Sequence, residues 1–63
     1  MKEYQRIIML NDKYKADGIC KNAIGYIMNI YNEKYCEVDF SDEKGITYAL
    51  QAICCDDFLV LDR

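Results

Sequence analysis

The sequence contains no histidine, and this absence removes most of the familiar catalytic arrangements. Neither a Ser-His-Asp triad nor a Cys-His pair can form, and the chain has no P-loop or dinucleotide-binding motif. Two pairs of carboxylates are present, Glu37 with Asp39 and Asp56 with Asp57, but acid/base catalysis by such a pair requires one member in an apolar pocket. A domain of 63 residues has little room for that pocket. The sequence therefore predicts that the protein is not an enzyme.

Cysteine is present, but not in the pattern of a metal site or a disulfide framework. The four cysteines are Cys20, Cys36, Cys54 and Cys55, with no C-x-x-C pair and no histidine to complete a zinc site. Cys54 and Cys55 are adjacent, which is a poor geometry for bridging one another. Cys36 is most simply a small apolar core residue. We therefore expect no metal and no cofactor, whereas the exposure of Cys54 and Cys55 stays open.

The chain also lacks any apolar run close to the roughly 20 residues that cross a bilayer, and its N-terminus lacks the basic-then-apolar order of a secretory signal. A cytoplasmic protein without a membrane segment is therefore expected. With 52 % hydrophobic and 30 % charged residues, the sequence predicts a single folded domain over residues 1–63. A domain this small buries only about 60 % of the surface that its unfolded chain exposes, so we expect marginal stability.

Runs of β-branched and aromatic residues, separated by short polar segments, predict five β-strands. The predicted strands cover residues 4–10, 26–31, 35–40, 46–53 and 58–61. The second and third form the clearest pair, because Asn32-Glu33-Lys34 reads as a tight hairpin link between them. One turn of 3₁₀ helix is expected within 54–57.

The connections between the predicted strands carry residues that turns require. The polar segment 11–18 is predicted to be a loop that ends at Gly18, with Ile19 anchoring its far end in the core. A helix over 13–23 is the alternative, although Gly18 then lies in its middle. Gly45 is well placed for a positive φ angle in the last hairpin connection.

Five short strands with mostly short linkers favour a small barrel, because closure removes the sheet edges that invite aggregation. Strand residues point alternately to the two faces of a sheet. The third strand is therefore predicted to point Cys36, Val38 and Phe40 inward and Tyr35, Glu37 and Asp39 outward. Further predicted core residues are Ile24, Ile27 and Phe58.

A glycine-led strand, an acidic strand, an acidic turn that ends in glycine and a closing leucine follow one another along most of the chain. They occupy residues 18–31, 36–40, 42–45, 48–50 and Leu59. Together they resemble the small bacterial family known as domain of unknown function 4926, over residues 6–61. Asn22 stands where that family usually has glycine, Asp39 replaces its usual glutamate, and the first loop lacks the proline that is often found there. The resemblance implies an all-β fold, a small five-stranded SH3-like barrel with a longer loop after the first strand. It brings no activity and no catalytic residues.

Charge is distributed unevenly along the chain. Residues 1–32 carry a net charge of +2 and residues 33–63 a net charge of -5. If the strands of the C-terminal half lie side by side, their outward acids merge into one negative patch that can steer a basic partner. The alternative is a solvated acidic face that only keeps a small protein soluble.

An acidic strand face that also carries tyrosine can cover a basic cleft, such as the active site of a nuclease toxin, because it imitates phosphate charge and supplies aromatic anchors. We therefore predict a small protein-binding domain of the toxin-neutralising immunity or antitoxin kind. The predicted partner-binding residues are Tyr35, Glu37, Asp39, Asp42 and Glu43. The expected partner is a protein with a basic surface, and the protein itself is expected to be a monomer or a weak homodimer.

The alternative function is an RNA- or ribosome-associated binding module of the KOW or SH3-like kind. Six tyrosines offer platforms on which bases can stack. Phosphate binding requires a basic surface, however, and the sequence pI of about 4.7 opposes it. A third possibility is a self-associating domain with no other partner.

Overall fold

The computed structural model describes residues 1–61, and within them it forms one five-stranded antiparallel sheet without an α-helix. The strands are β1 Arg6–Met9, β2 Ile24–Ile30, β3 Tyr35–Ser41, β4 Thr47–Cys54 and β5 Phe58–Val60. All five predicted strands are thus confirmed, with ends that differ by a few residues. Two short 3₁₀ helices complete the fold. Cys55–Asp57 was expected as such, and Lys15–Asp17 is all that forms of the alternative helix over 13–23.

The strands are hydrogen-bonded in the order β4-β3-β2-β1-β5, and every neighbouring pair is antiparallel. β4 and β5 therefore lie at the two edges of the sheet and are not paired with each other. The sheet is not shown closed into the predicted barrel, whereas the broader prediction of a small all-β domain with five strands is confirmed. The predicted long loop after the first strand is also present, between β1 and β2.

Alternation along the strands points one set of side chains into a single core. The apolar residues buried there are Ile7, Met9, Ile19, Ile27, Cys36, Val38, Phe40, Ile53 and Phe58. They come from all five strands and from the β1–β2 loop, which contributes Ile19. Since no α-helix covers this face within residues 1–61, the sheet and that loop must themselves enclose it. The predictions for Ile19, Ile27, Cys36, Val38, Phe40 and Phe58 are confirmed.

The prediction of Ile24 as a core residue is wrong, because its side chain is 41 % exposed. The alternation along β2 points Gly25 and Ile27 inward, which turns Ile24 outward. A Cβ at Gly25 would lie only 2.5 Å from Cγ1 of Val38 and 2.9 Å from the ring of Phe40. The large side chains of β3 already fill that space, so glycine occupies the inward position and isoleucine the outward one.

Two side-chain oxygens fix the turns on either side of β3. Oδ1 of Asn32 accepts hydrogen bonds from the backbone N–H groups of Lys34 and Tyr35, at 2.8 and 3.0 Å. Oδ1 of Asp42 accepts hydrogen bonds in the same way from the N–H groups of Lys44 and Ile46, at 2.8 and 3.0 Å. Gly45 has a φ angle of 78°, as predicted. The two turns hold β3 in register with both of its neighbours and so determine which of its side chains face outward.

Candidate functional site

Tyr35, Glu37 and Asp39 occupy successive outward positions on β3, and we call them the β3 outer row. Their neighbours Cys36, Val38 and Phe40 are fully buried, so the predicted alternation along this strand is confirmed. Tyr35 is exposed, whereas Glu37 and Asp39 are half-buried. Because β3 is paired on both sides, the row lies in the interior of the sheet, on its outer face.

Neutral hydroxyl groups hold both carboxylates of the β3 outer row in place. The Tyr31 hydroxyl donates a hydrogen bond to Oε2 of Glu37 at 2.9 Å, and this bond raises the pKa of Tyr31. Oδ1 of Asp39 accepts hydrogen bonds from the hydroxyls of Thr47 at 2.9 Å and Ser41 at 3.3 Å. Hydroxyl donors orient a carboxylate without neutralising it. The row therefore presents two fixed negative charges to solvent.

Asp42 and Glu43 lie in the turn that follows β3, and they differ in what their carboxylates do. Oδ1 of Asp42 is engaged by two backbone N–H groups of the turn, so this residue shapes the β3–β4 connection. Glu43 is exposed beside Lys44, and both line an open depression together with Asp42 and Ile46. The turn thus adds acidic groups next to the end of β3, together with one base.

Exposed apolar side chains flank the β3 outer row, and the sequence reasoning did not find them. Asp39 pairs with Tyr26 on β2 and with Leu50 on β4. Cross-strand partners point to the same face of a sheet, and Tyr26 is 46 % exposed and Leu50 55 % exposed. The alternation within β4 could have indicated an outward Leu50, but only the strand pairing places it beside Asp39.

The same outer face continues as an apolar row across the other half of the sheet. Ile8 on β1 pairs with Ile24 on β2 and with Leu59 on β5. Ile24 and Leu59 are exposed, and Ile8 is half-buried. Adjacent exposed apolar residues on a small domain are a common feature of interaction surfaces. The outer face therefore combines an acidic part on β3 with an apolar row on β2, β1 and β5, and the exposed Arg6, which pairs with Tyr26, adds one base to it.

Not every acid of the C-terminal half contributes to that surface. β4 lies beside β3 but carries no acid, so the predicted merging of acidic strands is limited to β3 and the turn after it. Asp57 is only 7 % exposed. Its carboxylate accepts hydrogen bonds from Asn11 at 3.0 Å and from the Tyr14 hydroxyl at 2.9 Å. Asp62 and Arg63, which count toward the charge of that half, lie outside the described residues.

Lys13 completes the surroundings of Asp57, with its Nζ 3.6 Å from Oδ2 of the carboxylate. The pKa of Asp57 is lowered, first by the hydrogen bond from Asn11 and then by the bond from Tyr14 and the charge of Lys13, against the opposing effect of burial. Asp57 is therefore an ionised anchor that joins the β1–β2 loop to the second 3₁₀ helix. Nothing in the sequence pattern separated it from its exposed neighbour Asp56.

The cysteines form no disulfide in the described part of the chain. Burial raises the pKa of Cys36 to about 11. Cys54 and Cys55 are half-buried, and burial followed by the charge of Asp56 raises the pKa of Cys55. A raised pKa keeps a thiol protonated at neutral pH, which lowers its reactivity as a nucleophile. Within residues 1–61, no three acidic or cysteine side chains form a group that could hold a metal ion.

The fold and the outer face define a small all-β domain, and the comparisons with known proteins assign it to a family. The model of the family described as Domain of unknown function (DUF4926) matches residues 3–60. The chain belongs to this family, as the resemblance in its sequence implied. No curated protein and no solved structure is significantly similar to it. None of the residues that the structure describes forms a helix long and apolar enough to cross a membrane.

Proposed function

We propose that this protein is a protein-binding domain of the immunity or antitoxin kind, which covers a basic site on a partner protein. The observation that supports this function best is the β3 outer row. Its two carboxylates, Glu37 and Asp39, are oriented by neutral hydroxyls, and Asp39 pairs with the exposed residues Tyr26 and Leu50. The proposed contact set is the one predicted from the sequence: Tyr35, Glu37, Asp39, Asp42 and Glu43.

The two kinds of side chain on this surface have different roles in binding. Fixed negative charges attract a basic partner over a distance and orient it during the encounter, so they act mainly on the association rate. Tyrosine and leucine supply the contact area that holds the complex together, and buried aromatic residues dominate the binding energy of many interfaces. Tyr35 lies in the same row as the two carboxylates. We therefore assign orientation of the partner to the two carboxylates, and anchoring to Tyr35, Tyr26 and Leu50.

The experiment that tests this function is a charge reversal within the β3 outer row. The double variant Glu37→Lys, Asp39→Lys is compared with Glu3→Lys, Asp17→Lys, which makes the same change in net charge at two exposed positions outside the β3 outer row. The ligand is a basic protein encoded beside the gene for this chain, and binding is measured by surface plasmon resonance at several salt concentrations. We expect the first variant to bind at least tenfold more weakly at low salt and to lose most of its salt dependence.

The control variant is expected to bind like the unmodified protein, and circular dichroism must show that both variants remain folded. The proposal is wrong if no basic protein from the genomic neighbourhood binds. It is also wrong if the Glu37→Lys, Asp39→Lys protein is folded and binds with unchanged affinity and unchanged salt dependence. An upstream gene for a large secreted protein with a toxin-like C-terminal domain is the genomic arrangement that the proposal expects.

A second candidate function is an RNA- or ribosome-associated module, and the exposure of the tyrosines favours it. Tyr4, Tyr26, Tyr31, Tyr35 and Tyr48 are all exposed, and exposed aromatic rings can stack on bases. Against it, Tyr26 pairs with Asp39 and Tyr31 bonds to Glu37, so two of these rings stand beside carboxylates that repel phosphate. This function requires retention on immobilised RNA at low salt, with release as salt rises.

We further propose that the fold is a partly open SH3-like barrel and that the protein is neither an enzyme nor a cofactor carrier. The sheet order β4-β3-β2-β1-β5, the long β1–β2 loop and the 3₁₀ helix before β5 support the barrel. The depressions beside Asn32–Tyr35 and beside Asp42–Ile46 are open and lie against turns, which is unlike the enclosed apolar site that paired carboxylates need for catalysis.

A further inference from the structure

β4 is a long, uncharged strand at the edge of the sheet. It is eight residues long, and among residues 1–61 the one strand hydrogen-bonded to it is β3. Its sequence, TYALQAIC, contains no charge and no proline, although 30 % of the chain is charged. Natural proteins protect long edge strands with charges, prolines, bulges or coverage by another element, because an open edge can pair with a further strand. β4 has a bulge at Tyr48, and the N–H of Cys54 at its end is bonded to the Tyr14 hydroxyl, so its regular part is residues 49–53. The opposite edge, β5, has only three residues.

We propose that β4 is a self-association site, at which two copies of this protein pair their β4 strands antiparallel about a two-fold axis that passes through Leu50. A two-fold axis brings the same strand of both copies together and makes the pairing antiparallel. Side chains that face each other across such a pair must point to the same side of the sheet. Any axis centred on a residue satisfies this condition. We place it at Leu50 because Leu50 is the exposed large apolar residue in the regular part of β4 and points to the outer face, where it pairs with Asp39.

The charge distribution favours a second copy as the occupant of this edge. The protein carries a net charge of -3, and its excess of acids lies in residues 33–63, so the acidic surfaces of two copies repel each other. β4 avoids this repulsion because it brings no charged residue opposite a like charge. Leu50 is 55 % exposed and Tyr48 is 50 % exposed, so pairing also removes apolar surface from water. A strand built to receive a basic segment would instead carry acids at this edge.

The dimer joins the two sheets into one continuous sheet of ten strands. The β3 outer rows of the two copies are then separated by three strand spacings, or about 14 Å, on the same face. The pairing rests on the free edge of β4 and does not depend on the proposed partner of the outer face. It would nevertheless present two acidic rows to that partner at a fixed separation.

Charge substitutions at Leu50 test both the edge and the position of the axis. The proteins are Leu50→Lys, Leu50→Glu and an equal mixture of the two, and their masses are measured by sedimentation equilibrium from about 10 μM to 1 mM. The unmodified protein should approach twice 7.4 kDa at high concentration. Each single variant should stay closer to 7.4 kDa than the unmodified protein at every concentration, with its dimer at least tenfold weaker, since like charges then meet at the axis. The mixture should recover the dimer, because opposite charges meet there instead.

The matched control is Ile46→Lys, which introduces the same charge at an exposed residue just outside β4 and should leave the dimer intact. Amide hydrogen exchange tests the pairing at single residues. The backbone N–H groups of β4 that point away from β3 should exchange more slowly as the protein concentration rises. A monomeric mass at 1 mM overturns the proposal. So does a dimer that survives in both single variants, a mixture that stays monomeric while both variants are folded, or protection of β4 only after another protein is added.

Discussion

At the scale of single residues, Asp57 shows how one buried charge can hold two segments together. Burying a carboxylate is costly unless hydrogen bonds and a countercharge compensate for the lost water. Asn11, Tyr14 and Lys13 supply both, and all three lie in the β1–β2 loop. The Tyr14 hydroxyl also accepts a hydrogen bond from the backbone N–H of Cys54 at 3.3 Å. The loop is therefore attached to the end of β4 and to the second 3₁₀ helix at one point.

The lowered pKa of Asp57 leads to a prediction about pH. Because the folded pKa lies below the unfolded value of about 3.9, ionised Asp57 stabilises the fold above pH 4. This contribution is lost as the pH falls through the folded pKa. At pH 7, Asp57→Asn should lower the free energy of unfolding by about 1–3 kcal/mol. The difference from the unmodified protein should shrink below pH 4, as measured by urea denaturation from pH 2.5 to 7.

Asp56→Asn is the matched control for this prediction, since Asp56 is the exposed neighbour of Asp57. It should change the free energy of unfolding at pH 7 by no more than about 0.5 kcal/mol. Equal effects of the two variants, or a difference for Asp57→Asn that stays constant down to pH 2.5, would show that the Asp57 cluster does not anchor the loop through its charge.

At the scale of elements, the contact between β2 and β3 depends on the absence of a side chain at Gly25. Gly25 pairs with Phe40 and faces the core. The nearest atoms to a Cβ at this position belong to Val38 and Phe40, at 2.5 and 2.9 Å. Both of these side chains are fully buried and therefore have little room to move. Glycine is needed here to make space for β3 side chains.

We predict that Gly25→Ala lowers the free energy of unfolding by about 1–3 kcal/mol, the usual cost of overpacking a core. Since the nearest atom is Cγ1 of Val38, adding Val38→Ala should relieve part of the clash. The double variant should then lose less stability than the sum of the two single variants, as measured in a urea double-mutant cycle. Additive losses would indicate that the added methyl group does not meet Val38.

The elements also show how much of the fold and of the site the sequence could predict. The hairpin of β2 and β3 and the outward positions of Tyr35, Glu37 and Asp39 follow from local alternation, which depends only on neighbouring residues. The prediction for Ile24 failed because the second strand was predicted to begin at Tyr26, whereas β2 begins at Ile24. The alternation that points Ile27 inward therefore extends to Ile24 and points it outward. The register shift between Ile27 and Asn29 takes Met28 out of the regular pairing, and Met28 is 37 % exposed whereas Ile27 is fully buried.

The missing parts of the candidate site have the same physical origin. Tyr26 and Leu50 flank Asp39 only because of how three strands are paired, and pairing is a property of residues far apart in sequence. Asp56 and Asp57 are adjacent residues of the same type, yet only Asp57 is buried, where it accepts hydrogen bonds from side chains of the β1–β2 loop. Local patterns therefore predicted the acidic row, whereas its apolar neighbours and the buried acid required the tertiary fold.

At the scale of the whole molecule, the core is enclosed on one side by a loop that has little regular structure. Ile19 lies in the β1–β2 loop and is fully buried against residues of the sheet. A folded domain typically has about 0.05–0.15 kcal/mol of stability per residue, which gives about 3–9 kcal/mol for a chain of 63 residues. One loop side chain can therefore account for a large part of the total.

We predict that Ile19→Ala lowers the free energy of unfolding by about 2–5 kcal/mol and Ile19→Val by about 0.5–1.5 kcal/mol, because each removes buried methyl groups and leaves a cavity. Ile46→Ala is the control, since Ile46 also lies in a connection but is 61 % exposed, and it should cost no more than about 0.5 kcal/mol. Urea denaturation at pH 7 measures all three. If Ile19→Ala costs no more than Ile46→Ala, the loop does not enclose the core. If the free energy of unfolding falls slightly in Ile19→Val and strongly in Ile19→Ala, the loop encloses the part of the core that the five strands leave uncovered.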